Sequence, residues 1–202
     1  MVKIAVLVSG GGTNLEALLR SEENKTLTRG HIEVVISDRE GAYALERARK
    51  HKKEALLLNK KEVGTKRFEE LLITTLKKRE ISLIVLAGFL SILSPTFINE
   101  YRDRIINIHP SLIPSFCGKG YYGLRVHEEA LKRGVKLTGA TVHLVNEVPD
   151  GGRILLQKAV KVEDDDTPAT LQKRVMEEAE WKLLPLATEL MCKEIGGEDD
   201  NR

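Results

Sequence analysis

Only two cysteines, Cys117 and Cys192, occur among 202 residues. That leaves no disulfide framework, and the apolar start at residues 1–8 runs into Ser9 without a small-residue cleavage site, so the expected location is cytoplasmic. Aromatic residues make up 4% of the chain and are scattered, which gives nucleic acid no stacking platform. Basic and acidic side chains number 32 and 30, a formal charge of +2, so the basic excess that meets phosphate backbones is missing as well. No apolar run approaches the roughly 18 residues of a membrane span, because the longest, 81–90, is interrupted by Ser82 and Gly88. With nucleic acid and membrane set aside, small molecules are the favoured ligands.

What is present is a globular composition, 42% hydrophobic and 31% charged. Short apolar runs at 3–8, 31–36, 55–58, 81–87 and 104–108 alternate with helical patterns after Asn14, at 42–51, at 66–78 and after Ser94-Pro95, an N-cap followed by proline at the first helical position. The first and fourth runs are apolar almost throughout, as in strands buried on both faces. The reading is a doubly wound, mainly parallel α/β sheet of Rossmann-like type. After residue 108 comes a long Pro- and Gly-punctuated loop, then a helix at 123–133. Two β-rich runs, 136–145 and 153–162, predict an antiparallel hairpin at a sheet edge, and Thr167-Pro168 caps a closing helix restarted near Pro185. One domain is expected over 1–196, with a phosphate-binding half at 1–106, a catalytic half at 107–196 and a frayed acidic tail at 197–202.

The turn Ser9-Gly10-Gly11-Gly12-Thr13-Asn14 joins the first strand to the first helix, where backbone N–H groups and the helix N-terminus can receive a phosphate. A dinucleotide fingerprint wants a glycine at position 15, which is Leu15, although Asp38 does end the second strand; the Walker lysine is absent. A phosphomonoester fits, with a glycine turn made only for close packing as the alternative. Asn107 and His109 sit two residues apart at the carboxyl end of the fifth strand, on one side of it, where a histidine can serve as acid or base and an amide can polarise a carbonyl. Capping by Asn107 and plain packing of His109 stay open. Asp150, in Pro149-Asp150-Gly151-Gly152, is a turn aspartate on its own; beside His109 it would raise the histidine's pKa. His31, His51, His127 and His143 show no ligand spacing with one another or with Cys117, so no metal site is expected. Glu180 falls on an amphipathic stretch and reads from pattern as a solvated helix face.

Residues 6–14, 86–94, 107–114 and 139–143 together with Asp150-Gly151-Gly152 resemble the phosphoribosylglycinamide formyltransferases, a branch of the folate formyltransferase superfamily, over nearly the whole chain. The resemblance implies transfer of a formyl group from 10-formyltetrahydrofolate, the co-substrate, to the amine of 5-phosphoribosylglycinamide in purine biosynthesis, by direct attack and without a metal. It assigns Asn107, His109 and Asp150 to catalysis, with His109 protonated and held by Asp150. Gly12, Thr13 and Asn14 fall to the substrate phosphate and Glu180 to its ribose. The folate falls to Leu90, Ser91, Ile92, Leu93, Asn107, Val145, Asn146 and Glu147. Monomer and homodimer are both compatible.

The chain departs from many members at Leu90-Ser91, where Met-Arg is usual, at Cys117, at Arg153 and near Thr65, where Lys66 or Arg67 stands in for a basic residue. The rivals are a formyltetrahydrofolate hydrolase, a methionyl-tRNA formyltransferase and, from another class, a dinucleotide-binding module. The first two normally carry extra domains that 202 residues do not accommodate, and Leu15 speaks against the third.

Overall fold

In the computed structural model, which describes residues 1–199, strand β1 (Val2–Val8) is buried at every position except Lys3. Its side chains alternate between two cores. Ile4, Val6 and Val8 pack with Leu15, Leu18 and Leu184, while Ala5 and Leu7 pack with Phe68, Leu72 and Phe97. A strand apolar on both faces belongs inside a sheet covered on both sides.

That sheet has seven strands, with β2 (Gly30–Ser37), β3 (Glu54–Leu57), β4 (Leu83–Leu86), β5 (Ile105–His109), β6 (Leu137–Leu144) and β7 (Ile154–Lys161). Their order is β3-β2-β1-β4-β5-β6-β7. The pairs from β3 to β5 are parallel, and β6 and β7 add an antiparallel hairpin at the edge, as the spacing predicts. Helices α1 (Thr13–Glu23) and α2 (Tyr43–Lys50) cover one face. A four-residue helix, α3 (Lys60–Val63), precedes α4 (Thr65–Lys78), and α4 covers the other face with α5 (Pro95–Glu100). Ser94 caps α5 by accepting from the Phe97 N–H at 3.2 Å, with Pro95 in the first turn. Helix α6 (Leu124–Arg133) follows the loop at 110–123, and α7 (Pro168–Val175) opens with a Thr167–Thr170 capping box.

The closing helix differs from the expectation in where it is interrupted. The interruption lies at Met176–Glu180, a π-helical turn in which the Trp181 N–H reaches back to the Met176 carbonyl, and α8 (Trp181–Asp199) then runs through Pro185. A proline ring crowds the carbonyl four residues earlier, here that of Trp181, where the wide turn ends, so the chain need not restart at the proline. Helix α8 also continues through Asp199, past the point at which the tail is expected to fray; residues 200–202 lie outside the described part. Strand order reverses between β1 and β4, which places the loops leaving β1, β4 and β5 side by side at the carboxyl edge of the sheet.

Candidate active site

The turn leaving β1 is shaped by glycine for two reasons. Gly12 has φ of 75°, and a Cβ on it would stand 2.6 Å from Ala44 Cβ in α2, so close packing requires glycine there. A Cβ on Gly10 or Gly11 would meet nothing within 4 Å among the described residues. The turn is braced by Arg47, whose Nε donates to the Gly11 carbonyl at 2.9 Å, and by the Ala44 N–H on the Gly10 carbonyl at 3.0 Å. Among the described residues no side chain caps the N-terminus of α1, so its first N–H groups face outward with the positive end of the helix dipole.

Asn14, in the first turn of α1, donates from Nδ2 to Glu180 Oε2 at 2.6 Å. Glu180 is only 6% exposed. Burial pushes its carboxyl up to about 7, against the pull of Asn14 in the other direction. The solvated face read from the helical pattern is therefore wrong for this residue: the π turn breaks the single helical period, and Glu180 ends the turn facing inward.

On β5, Ile106 and Ile108 join the α1–α8 core, and Asn107 and His109 take the opposite phase together. His109 Nε2 lies 2.9 Å from the Phe116 carbonyl. A carbonyl only accepts, so that nitrogen carries the proton, and Nδ1 faces Asp150 Oδ2 at 3.7 Å. Asp150 also accepts from the Gly118 N–H at 2.7 Å. Phe116 and Asp150 both hold left-handed backbone, at φ of 49° and 55°. Such conformations persist where the surroundings over-determine them, often at functional sites.

The electrostatics correct the expectation for His109. Asp150 does stand beside it, yet burial pushes the imidazole pKa down; Asp150 and the Phe116 carbonyl pull it up less, and His143 pushes it further down. The resting ring is neutral at pH 7. For Asp150 burial acts upward, but His143, His109 and the Gly118 N–H outweigh it and hold the carboxyl below its usual range.

His143, which has no ligand spacing in the sequence, is a member of this cluster. It pairs with Asn107 across the β5–β6 ladder. Its Nδ1 donates to the Leu144 carbonyl at 2.8 Å, and Nε2 lies 3.1 Å from Asn107 Nδ2 and 3.5 Å from Asp150 Oδ1. The signal that could have found it is cross-strand register, not spacing along the chain. Thr141, opposite His109, pins the next loop by donating to the Ser111 carbonyl at 2.7 Å. His127 on α6 is fully buried, and neither ring nitrogen has a hydrogen-bond partner among the described residues. Burial, then His109, push it down to about 4.

A cavity of about 140 Å³ opens beside the cluster, walled by Ser91, Ile92 and Leu93 on one side and by residues 145–150 on the other, with Asn107 and His143 at its base. Val145, Asn146 and Glu147 thus face the same space as the 91–93 segment, whereas Leu90 is outside the lining and gives its N–H to Ser9 Oγ at 2.9 Å. Lys66 and Arg67 are also outside it, Arg67 pairing with Glu70 at 3.2 Å. A larger cavity, about 640 Å³, lies between α1 and the start of α8, and neither the β5 residues nor Asp150 line it. Among the described residues no three His, Cys, Asp or Glu side chains are grouped to hold a metal, and no helix is long and apolar enough to cross a membrane.

A neutral histidine, an ionised carboxylate and an amide converging at the carboxyl edge of a parallel sheet can stabilise an oxyanion and move a proton. Comparison with known proteins identifies the family. The family model described as formyl transferase matches residues 2–188. Glycinamide ribonucleotide transformylase 1 from Symbiobacterium toebii has a TM-score of 0.89 at 38% identity, covering 96% of this chain and 89% of that one. Phosphoribosylglycinamide formyltransferase from Brucella melitensis has a TM-score of 0.85 at 38% identity, covering 95% of each chain. The trifunctional purine biosynthetic protein adenosine-3 of Gallus gallus is 40% identical over 95% of this chain and 18% of its own length. The chloroplastic phosphoribosylglycinamide formyltransferase of Vigna unguiculata is 36% identical over 95% of this chain and 61% of its own. The chain spans less than two thirds of the length of these two relatives. Matched by the family model over most of its length, and by solved structures over most of both chains, it belongs to the formyl transferase family.

Proposed function

We propose that the protein transfers the formyl group of 10-formyltetrahydrofolate to the amine of 5-phosphoribosylglycinamide, giving formylglycinamide ribonucleotide and tetrahydrofolate. The observation that carries the reading is that His109 and His143 both face Asp150, with Asn107 against His143, beside a cavity walled by 91–93 and 145–150. The substrate phosphate takes the uncapped N-terminus of α1 at Gly12, Thr13 and Asn14, met by backbone N–H groups. Glu180, at hydrogen-bonding distance from Asn14, receives the ribose hydroxyls. Phosphate side and ribose side therefore come from opposite ends of the chain, joined by the Asn14–Glu180 hydrogen bond, so the substrate site draws on both the phosphate-binding half and the catalytic half.

In this mechanism the amine nitrogen bonds to the formyl carbon and the carbonyl oxygen becomes an oxyanion, stabilised by the Asn107 amide. His109 enters neutral, with Nδ1 unprotonated, and takes the proton the amine loses on attack; the imidazolium then faces ionised Asp150. The bond from the formyl carbon to N10 breaks as N10 receives that proton, and tetrahydrofolate leaves. Asp150 thus has its largest effect after proton transfer. The test is tetrahydrofolate release from 10-formyltetrahydrofolate, followed spectroscopically with and without 5-phosphoribosylglycinamide. Release only with the amine supports the transferase; equal release without it would make the protein a hydrolase.

A further inference from the structure

The segment 88–93 lies outside strand and helix, although it forms one wall of the smaller cavity. Side chains of neighbouring strands hold it instead. Ser9, at the end of β1, gives its N–H to the Gly88 carbonyl at 3.1 Å and accepts the Leu90 N–H on Oγ at 2.9 Å. Ser91 Oγ donates to Asp38 Oδ2 at 2.5 Å. Asp38 closes β2 and is 2% exposed. Its other oxygen, Oδ1, has no hydrogen-bond partner among the described residues, and Arg39 Nε stays 3.8 Å away. A carboxylate so far out of water, with one oxygen bare, depends on the partner of the other.

Because β1 lies between β2 and β4, the Asp38–Ser91 bond crosses over the end of β1 and anchors the 88–93 wall to the far strand. We propose that Asp38 and Ser91 are a positioning pair that sets the formyl-donor side of the site, specific to the folate and not to the phosphorylated substrate. This rests on the reading of the smaller cavity as the folate pocket. Ser91 lines that cavity beside Asn107 and Asp150, and neither Ser91 nor Asp38 lines the cavity beside Thr13. Loss of the hydroxyl frees the wall and leaves Asp38 without its one side-chain donor, while the Gly12–Asn14 turn keeps its own braces at Arg47 and Ala44.

The experiment compares wild-type protein with Ser91→Ala, Ser91→Thr and Asp38→Asn, measuring kcat, KM for each substrate and tetrahydrofolate binding by calorimetry. Ser91→Ala should raise KM for 10-formyltetrahydrofolate and weaken tetrahydrofolate binding by about five- to tenfold, the effect of one net hydrogen bond. Its kcat and its KM for 5-phosphoribosylglycinamide should stay within about twofold of wild type, since no bond to that side is touched. Ser91→Thr keeps the hydroxyl and Asp38→Asn keeps an oxygen acceptor, so each should retain more tetrahydrofolate affinity than Ser91→Ala. Unchanged donor affinity in Ser91→Ala, or equal rises in both KM values, would overturn the pair. Wild-type protein that binds tetrahydrofolate without transferring formyl would defeat the functional reading alone, with the binding ratio still deciding the pair. Wild-type protein that binds no tetrahydrofolate would overturn both.

Discussion

Replacing Glu180 with glutamine separates what this carboxylate does for the fold from what it does for the substrate. In the fold the carboxyl titrates at about 7 against an ordinary 4.5, because it is buried, with Asn14 donating to it. A carboxylate with a raised folded pKa contributes stability that is complete below pH 4.5 and is lost as pH rises toward 7. At about 1.4 kcal/mol for each pH unit, the gap corresponds to about 3 kcal/mol, undiminished by solvent since the residue is 6% exposed. For a chain of this size that is a shift in Tm of about 6–12 °C. Thermal melts of both proteins at pH 5 and pH 8 would read it. The wild type should lose that much more Tm than Glu180→Gln over the interval, so the variant gains relative stability in alkali. Under the proposed function the same change should raise KM for 5-phosphoribosylglycinamide about 10- to 100-fold, as charge-assisted bonds to the ribose are lost. Parallel pH dependences of Tm in the two proteins would refute the buried-carboxylate argument whatever the kinetics show.

Asp150→Asn should cut kcat at least about a hundredfold and move the acid limb of the kcat/KM profile to lower pH, because Asp150 is the carboxylate that pulls the His109 pKa upward. An unmoved limb, read from a profile between pH 4 and 8, would detach Asp150 from His109. His127→Leu should resist acid. The histidine is neutral in the fold with a pKa of about 4 against 6.5, so its presence removes stability as pH falls from 6.5 toward 4, by at most about 3 kcal/mol. Urea unfolding at pH 4 and pH 7 should show that slope in the wild type and lose it in the variant; equal slopes would count against the buried neutral ring. Gly12→Ala should destabilise by about 1–3 kcal/mol, since the new Cβ meets Ala44 and φ is left-handed, and a variant as stable as wild type in urea would contradict that packing.

The parallel sheet was readable because β1 and β4 are apolar at nearly every position and each is followed by a helical period, a pattern that only a doubly covered sheet satisfies. Asn107 and His109 were readable by alternation, which needs no knowledge of partners. His143 was not, because ligand spacing is read along the chain, and this residue meets Asn107 across a ladder whose register only the folded hairpin defines. The sign of the His109 shift was hidden for a different reason. A sequence places a carboxylate near a ring but gives no measure of how much water both lose, and here burial outweighs the charge. For Gly12 both readings hold at once: the position needs glycine for packing against α2, and the turn so formed leaves the helix N-terminus open.

The wide turn at Met176–Glu180 bears on which length changes the chain tolerates. Each residue of an α-helix advances about 100° around the axis, and the wide turn already takes up about one residue more than an α turn, so inserting another between Val175 and Trp181 would turn everything downstream by that angle relative to α7. Leu183, Leu184, Ala187 and Met191, which dock α8 onto the sheet, would keep their seat only if the upstream half, with Leu171 and Val175, gave up its own. No single rotation serves both halves, so insertions should be accepted in the solvent-facing loops and rejected here, even though no charged group of the catalytic cluster lies in the turn.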